Sequence, residues 1–231
     1  TGVFRGYVWM EKEKRGGGAR KEGVVCGEAG GGAQPLAGEP RPSGKTTTPP
    51  FPGGPNPRVP ADLDAFRVLD VGAGPVTAMG DYWEGKDITI VPVDPLAEAY
   101  ADLLQRYAIT LPTPTIYGLG EELIEQFGKE TFHFAYACNC LDHSMDPVEC
   151  YRQMLGVLKP GCSLVTFHEA NEAERQNYEG LHQWNFSVRE SRLIVWNHNG
   201  HWDIVDHCPD AAHYHIEQDR HYIKFTLTKK A

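Results

Sequence analysis

Two acidic residues and a pair of glycines are the residues of this chain best suited to binding a ligand. Asp70 ends an apolar run and is followed by the turn Gly72-Ala73-Gly74, and Asp94 ends a second apolar run. Glycines let a ligand approach the backbone closely, and a carboxylate can accept hydrogen bonds from two hydroxyl groups at once. A glycine turn after one strand and an acid after the next predict a nucleoside site at one edge of a parallel sheet.

Histidines supply the candidates for proton transfer, and all ten lie in the C-terminal half of the chain. His143 and His168 follow the fourth and fifth predicted strands, and a neutral imidazole accepts a proton near pH 7, so both are candidate catalytic bases. Either side chain could instead have only a structural role. His182 and Trp184 lie in the next connection and are candidate substrate contacts. A metal site joining His168, Glu169 and His182 lacks compact ligand spacing, so no metal is expected.

These residues are positioned by strands and helices that alternate from Arg67 to Phe167, a pattern typical of a doubly wound α/β fold with a mostly parallel sheet. The strands are predicted at Val68–Val71, Ile88–Val93, Thr115–Gly118, Phe132–Cys138 and Ser163–Phe167. The helices are predicted within Thr77–Gly85, after Asp94-Pro95, at Glu121–Phe127 and from Asp146-Pro147 to a turn at Lys159-Pro160-Gly161. Three further segments predict an antiparallel finish to the sheet: Leu193–Asn197, Trp202–Asp206 and Tyr222–Thr228.

Composition divides the 231 residues into two parts. Glycine and proline make up 23 of the first 60 residues, which predicts a disordered segment over residues 1–58 and one folded domain over residues 59–231. The first 60 residues carry a net charge of +4 and the remainder −13, for a total of −9. An acidic folded part argues against nucleic acid as a substrate or partner.

Membrane and secretory features are not expected from this sequence. The chain has neither an apolar stretch near the ~20 residues of a membrane span nor a basic segment leading into an apolar one. Its six cysteines show no C-x-x-C spacing, which is typical of small buried thiols in a reducing compartment. We therefore expect a cytoplasmic location by default.

The chain resembles the class I S-adenosylmethionine (SAM)-dependent methyltransferases, specifically the methyltransferase type 11 group. The resemblance covers about Arg67 to Phe167 and depends on four segments that occur in the family's order and spacing. These segments are Val68–Pro75 with sequence VLDVGAGP, Val93-Asp94, Phe132–His143 with Asp146-Pro147, and Leu158-Lys159-Pro160-Gly161.

The resemblance implies a seven-stranded Rossmann-like sheet, SAM as the cofactor and a small-molecule methyl acceptor. Asp70 would act on the ammonium group of SAM, Asp94 on the ribose hydroxyls, and the region after the third strand on the adenine. The cofactor-binding residues implied in this way are Asp70, Gly72, Ala73, Gly74, Asp94, Pro95, Gly120, Glu121 and Asn139.

Two departures from the family pattern leave alternatives open. The segment Gly118-Leu119-Gly120-Glu121 lacks the usual acid after the third strand, so Glu121 is a stand-in, and Val59–Phe66 is the only candidate for the helix that covers the cofactor. One alternative is an NAD-dependent oxidoreductase or epimerase, against which stand Pro75, the missing third glycine and the lack of a Tyr-x-x-x-Lys pair. The other is a SAM-fold binding protein without catalytic activity.

Overall fold

The computed structural model describes residues 66–79, 82–83 and 86–231. The strands in these residues are β1 (Phe66–Val71), β2 (Tyr82–Trp83), β3 (Lys86–Val93), β4 (Phe132–Cys138), β5 (Leu158–Glu169), β6 (Asn185–Arg189), β7 (Arg192–Asn197), β8 (Gly200–Asp203), β9 (Ala211–Asp219) and β10 (Tyr222–Lys229). The helices are α1 (Ala97–Arg106), α2 (Leu123–Phe127), α3 (Pro147–Val157), α4 (Glu172–Arg175) and α5 (Ile204–His207), with a 3-10 turn at Leu141–His143.

The main sheet has seven strands in the order β2-β3-β1-β4-β5-β10-β9. Strands β3, β1, β4 and β5 are mutually parallel, and β10 is antiparallel to both β5 and β9. The α/β fold with a mostly parallel sheet and an antiparallel C-terminal strand is therefore confirmed. Its consequence for the site is that the carboxyl ends of β1, β3, β4 and β5 meet at one edge of the sheet.

The predicted third strand is reduced to a single bridge. Ile116 pairs with Val93, its N–H donating to the Pro92 carbonyl at 3.0 Å and its carbonyl accepting from the Asp94 N–H at 3.1 Å. Prolines at positions 112 and 114 precede this segment, and a proline cannot donate to a strand ladder. The seventh strand of the sheet is instead β2, which pairs antiparallel with the other end of β3.

The C-terminal part differs from the sequence-based expectation. Strands β6, β7 and β8 form a separate three-stranded antiparallel sheet, so the predicted strand at Leu193–Asn197 does not extend the main sheet. The predicted strand at Trp202–Asp206 is wrong beyond Asp203, whose carboxylate accepts from the Val205 N–H at 2.9 Å and begins α5. Only β9, which was not predicted, and β10 complete the main sheet.

Of four other local predictions, one is confirmed, one is wrong, and two concern residues outside the described part of the chain. Helix α3 begins as expected, with Pro147 in its first turn and the Asp146 carboxylate accepting from the Glu149 N–H at 3.0 Å. The helix predicted within Thr77–Gly85 is not formed in its described residues, which are coil at 77–79 and strand at 82–83. The predicted disordered segment 1–58, and the covering helix at Val59–Phe66 except Phe66 in β1, lie outside the described residues.

The hydrophobic core occupies both faces of the main sheet. The larger cluster joins β1, β4 and β5 to α2 and α3 and contains Tyr151 and Met154, both fully buried. A second cluster on the opposite face contains Phe66, Phe134 and Tyr136. Within the described part of the chain, none of the helices combines the length and apolarity needed to cross a membrane.

Candidate functional site

The turn after β1 is closely packed against the neighbouring strands. The N–H groups of Gly72 and Ala73 both donate to the Val93 carbonyl, at 2.9 and 3.1 Å. Gly72 and Gly74 both have φ of +66°, in the left-handed region that residues with a Cβ rarely adopt. A Cβ on Gly72 would lie 2.5 Å from the Cβ and Sγ of Cys140, whereas a Cβ on Gly74 would meet no described atom within 4 Å. Packing and conformation both require glycine at 72, and conformation alone favours it at 74.

Asp94 joins this turn to the end of β3. Its Oδ2 accepts from the Gly74 N–H at 3.0 Å, and its Oδ1 accepts from the Leu96 N–H at 2.8 Å. The Thr115 hydroxyl donates to the Gly74 carbonyl at 2.7 Å and fixes the turn from the other side. Each carboxylate oxygen has a second lone pair, so Asp94 can still accept from two ligand hydroxyls. The side chain is mostly buried, which suits an acceptor held in one orientation.

Asp70 lies beneath the same turn. The residue is 3 % exposed, and its Oδ2 accepts from the Thr77 hydroxyl at 2.6 Å. Burial, opposed by the Thr77 hydrogen bond and assisted by the negative charge of Asp94, raises the pKa of Asp70 to about 7. A buried carboxyl group whose pKa lies near 7 is suited to a cationic ligand group, whose charge would stabilise the ionised form.

Asp70 is expected to make the ligand-free protein less stable as the pH rises. The folded-state pKa of about 7 exceeds the ordinary value of 3.8, so the folded state holds a proton that the unfolded state releases, and stability falls between these two pH values. Relative to Asp70→Asn, the wild-type free energy of unfolding should fall by about 3 kcal/mol between pH 5 and pH 8. Urea unfolding of both proteins at the two pH values measures this difference. A pH-independent difference would contradict the raised pKa.

The other predicted cofactor residues lie at the same sheet edge but have distinct partners. Pro95 is exposed in the turn before α1, and a Cβ on Gly120 would lie 2.7 Å from the Cys150 Sγ of α3. Glu121 accepts from the N–H groups of residues 145 and 146, at 2.9 and 3.2 Å, and so orders the segment before α3. Asn139 has a left-handed φ of 48°, and its Oδ1 accepts from the Glu169 N–H at 3.2 Å. These contacts show how the edge is built.

A cluster of four titratable side chains lies next to this edge. The Asp142 Oδ2 is 2.8 Å from the His182 Nδ1 and 3.2 Å from the His143 Nε2, and the two ring nitrogens are 3.1 Å apart. The Glu172 Oε1 lies 3.8 Å from the His182 Nδ1. The side chains of Asp142 and Glu172 are 4 % and 9 % exposed, whereas those of His143 and His182 are 33 % and 27 % exposed. We call this group the His-carboxylate cluster: two accessible imidazoles in front of two buried carboxylates.

Within the His-carboxylate cluster, Asp142 and His143 each stabilise the charged form of the other. Burial would raise the pKa of Asp142, but the hydrogen bonds and charges of His143 and His182 outweigh burial and lower it. Burial would lower the pKa of His143, but the hydrogen bond and charge of Asp142, with Glu172 and Asp94, raise it. Burial and the charge of Asp142 raise the pKa of Glu172. The contacts within the cluster therefore favour the ionised form of Asp142 and the protonated form of His143.

His168 occupies a different environment from the one expected of a base. The residue is 2 % exposed, its ring stacks on Phe186 with centroids 3.7 Å apart, and its Nε2 lies 2.7 Å from the Tyr151 hydroxyl and 2.9 Å from the Thr166 hydroxyl. Burial lowers the pKa of His168 to about 3. A ring enclosed in this way cannot touch an acceptor molecule, so the geometry argues against His168 as the base. His143 is then the remaining candidate base of the two.

Loop contacts bring the cluster to the glycine turn. The Cys140 thiol donates to the Val71 carbonyl at 3.2 Å, and the 3-10 turn that carries Asp142 and His143 begins at the next residue. The Gln183 N–H donates to the Asp142 carbonyl at 3.2 Å, and the Trp184 indole donates to the carbonyl of residue 144 at 3.0 Å. Trp184 thus holds the segment that carries His182 against the loop after β4.

The sequence analysis predicted separate roles for His143 and His182. It did not predict that the two histidines form one cluster with Asp142 and Glu172. The metal set considered from the sequence, His168 with Glu169 and His182, is not assembled among the described residues. The available signal was an acid adjacent to a histidine after β4, at positions 142 and 143. Asp142 and His182 are 40 residues apart in the sequence, so they do not form a short metal-ligand motif that the sequence could reveal.

Comparison with protein families identifies one domain. Residues 69–166, from β1 to β5, match the family described as a methyltransferase domain. Comparison with proteins of curated function gives no match.

Comparison with solved structures gives matches at low sequence identity. The CurJ carbon methyltransferase has a TM-score of 0.51 at 12 % identity, covering 75 % of this chain and 50 % of that chain. A Haloferax volcanii chain solved with the Trm112 methyltransferase activator has a TM-score of 0.49 at 13 % identity, covering 72 % and 83 %. A SAM-dependent methyltransferase from Thermotoga maritima has a TM-score of 0.46 at 13 % identity, covering 71 % and 82 %. The CurJ likeness establishes a shared fold.

Proposed function

Because residues 69–166 of this chain form a methyltransferase domain, we propose that it transfers the methyl group of SAM to a small-molecule acceptor. The observation that carries the proposal is the 3.0 Å hydrogen bond between the Gly74 N–H and the Asp94 carboxylate. It joins the glycine turn and the acid, twenty residues apart in sequence, into one surface at the carboxyl ends of β1 and β3. Such a surface offers an open backbone and a fixed acceptor, as a nucleoside requires.

The residues of the turn fit the charge and shape of SAM. Gly74, beside which a Cβ would meet no described atom within 4 Å, would let the methionine part of the cofactor approach the backbone, whereas Gly72 packs the turn against Cys140. Asp94 would accept from the two ribose hydroxyls. Asp70, whose pKa burial raises to about 7, ionises beside the ammonium group. When bound, SAM supplies a reactive methyl carbon, which an acceptor lone pair attacks while the carbon–sulfur electron pair passes to sulfur.

The protein's contribution to the chemistry is then positioning and removal of water. We assign the acceptor to the surface formed by the loop after β4 and residues 182–184, where His143 and His182 are accessible and Trp184 is half-buried. An acceptor with an O–H or N–H group would pass its proton to His143, the accessible candidate base. The acidic charge of the folded part, −13 over residues 61–231, favours a small molecule over a nucleic acid as the acceptor.

Calorimetric titration of the full chain with SAM, and separately with NADH, tests the cofactor assignment. We expect SAM to bind at one site per chain and NADH not to bind. Tight NADH binding without SAM binding would reverse the assignment toward an oxidoreductase or epimerase.

Incubation with methyl-labelled SAM and a mixture of candidate metabolites tests the transfer. We expect label in a small-molecule product. SAM binding with no transfer to any acceptor would instead identify a binding protein without catalytic activity.

A further inference from the structure

We propose that Asp142, His143 and His182 bind a divalent transition-metal ion, of which Zn²⁺ fits best, with the Glu172 carboxylate as the fourth ligand. The metal binding stands on the geometry of these side chains alone. Only its use in catalysis depends on the function proposed above.

Three candidate ligand atoms form a nearly equilateral triangle. The Asp142 Oδ2, the His143 Nε2 and the His182 Nδ1 are separated by 2.8, 3.1 and 3.2 Å. In a tetrahedral zinc site with bonds of about 2.0–2.1 Å, neighbouring ligand atoms lie about 3.3 Å apart. An ion placed above the triangle therefore reaches all three atoms after shifts of a few tenths of an ångström.

Hydrogen bonding alone does not account for this triangle. Three mutual contacts need three protons, one directed along each edge. An ionised carboxylate provides none, and each ring nitrogen provides at most one, which points in a single direction. At least one of the three pairs of ligand atoms is therefore in close contact without a proton between the two atoms, which is unfavourable. A cation at the centre satisfies all three atoms together.

Glu172 supplies an independent observation. The residue is 7 % exposed, and its Oε2 is buried without a hydrogen-bond partner among the described residues. Its other oxygen, Oε1, lies 3.8 Å from the His182 Nδ1, so the carboxylate faces the triangle. Leaving a buried carboxylate oxygen unpaired costs free energy, and a metal ion next to Asp142 would remove that cost for both acids.

The surroundings hold these ligands in place before any ion arrives. The Asp142 backbone carbonyl accepts from the Gln183 N–H, so the two loops that carry Asp142 and His182 are joined directly. Helix α4, which carries Glu172, is tied to β6 because the Asn185 side chain accepts from the Glu174 N–H at 2.9 Å. The two imidazoles are about one-third exposed, which leaves an entry path for the ion.

Ligand chemistry selects the class of ion. Two imidazoles and a carboxylate suit Zn²⁺ or a neighbouring first-row metal, whereas Mg²⁺ and Ca²⁺ prefer oxygen ligands throughout. A site of this kind can exchange Glu172 or a water for a ligand from outside. Under the proposed methyl transfer, that position would bind an oxygen of the acceptor and lower the pKa of its hydroxyl, so that His143 would act as a metal ligand and not as the base.

The test is titration of the chelator-treated full chain with Zn²⁺ alone, followed by calorimetry. We expect one ion per chain, and in His143→Ala and His182→Ala a loss of affinity of at least about 100-fold, since even outer-shell partners of metals contribute 10- to 100-fold. His201→Ala, in an exposed residue of β8, is the matched control and should bind as the wild type does. Equal Zn²⁺ affinity in the wild type and both cluster variants would overturn the proposal.

A second measurement covers the case in which a variant fails to fold. Co²⁺ added to the wild-type chain should give the visible absorption of four- or five-coordinate cobalt, and Zn²⁺ should abolish it. A spectrum of hexaaqua Co²⁺ would refute the site. Titrating SAM into the same samples separates the two proposals: Zn²⁺ binding without SAM binding removes only the methyl transfer, and the reverse result removes only the metal.

Discussion

Asp94→Ala is expected to weaken SAM binding by at least about 100-fold. Hydrogen bonds to a charged group contribute about 1.5–3 kcal/mol each, and the substitution removes two acceptors from the ribose. It also releases the Gly74 N–H and the Leu96 N–H, which the carboxylate now holds at 3.0 and 2.8 Å. Both effects act on cofactor affinity, and calorimetry with SAM measures their sum.

The control for Asp94→Ala is Glu98→Ala. Glu98 is exposed in the first turn of α1, so its removal changes the net charge equally without touching the turn. We expect its SAM affinity to stay within about twofold of the wild type, because an isolated surface charge contributes little. If Asp94→Ala folds and binds SAM as tightly as Glu98→Ala does, Asp94 does not hold the ribose.

Gly72→Ala is expected to lower the free energy of unfolding by about 4 kcal/mol. The left-handed conformation at φ +66° costs a residue with a Cβ about 1–2 kcal/mol, and forcing an extra methyl into a packed site costs about 1–3 kcal/mol. The new Cβ would lie 2.5 Å from the Cβ of Cys140, an atom that a side-chain rotation cannot move away. The loop after β4 would have to shift, and SAM affinity should fall with it.

Comparison with Gly74→Ala separates the cost of the left-handed conformation from the cost of packing against Cys140. Gly74 has the same φ of +66°, but a Cβ there meets no described atom within 4 Å. We expect a loss of only about 1–2 kcal/mol in urea unfolding, so the difference between the two variants measures the contact with Cys140. With Cys140→Gly as the reference protein, Gly72→Ala should cost less than it does in the wild type by that difference. Equal stabilities for Gly72→Ala and Gly74→Ala would show that the contact is relieved at no cost.

Short-range sequence patterns were sufficient to predict β4 and the start of α3. The strand at Phe132–Cys138 was predicted with the bounds that the structure has, because an apolar run between polar turns has few alternatives. The start of α3 followed from Asp146 and Pro147, which act within three residues of each other. The third strand failed because Ile116 pairs at an edge, where neighbouring prolines shorten the ladder.

Long-range packing decided what the sequence could not. The predicted strand ended before His168, but β5 includes it, and the sequence does not reveal whether such a ring faces solvent or the core. Here Phe186, from a separate sheet, covers the His168 ring. The His-carboxylate cluster joins three segments of the chain, so no spacing pattern marks it. Both outcomes depend on the connection after β5, which carries His182, Glu172 and Phe186 and whose path is set by tertiary contacts.

The small sheet β6–β8 lies between two strands of the main sheet in sequence, and the Ala170 N–H, where the excursion leaves β5, donates to the carbonyl of His221, just before β10. The chain therefore leaves the main sheet after β5 and returns to it at β9, which begins at Ala211. Under the proposed function, replacing residues 171–210 would change the contacts to the methyl acceptor and leave the glycine turn and Asp94, which would hold SAM, in place. Acceptor specificity and cofactor binding would then change independently of each other.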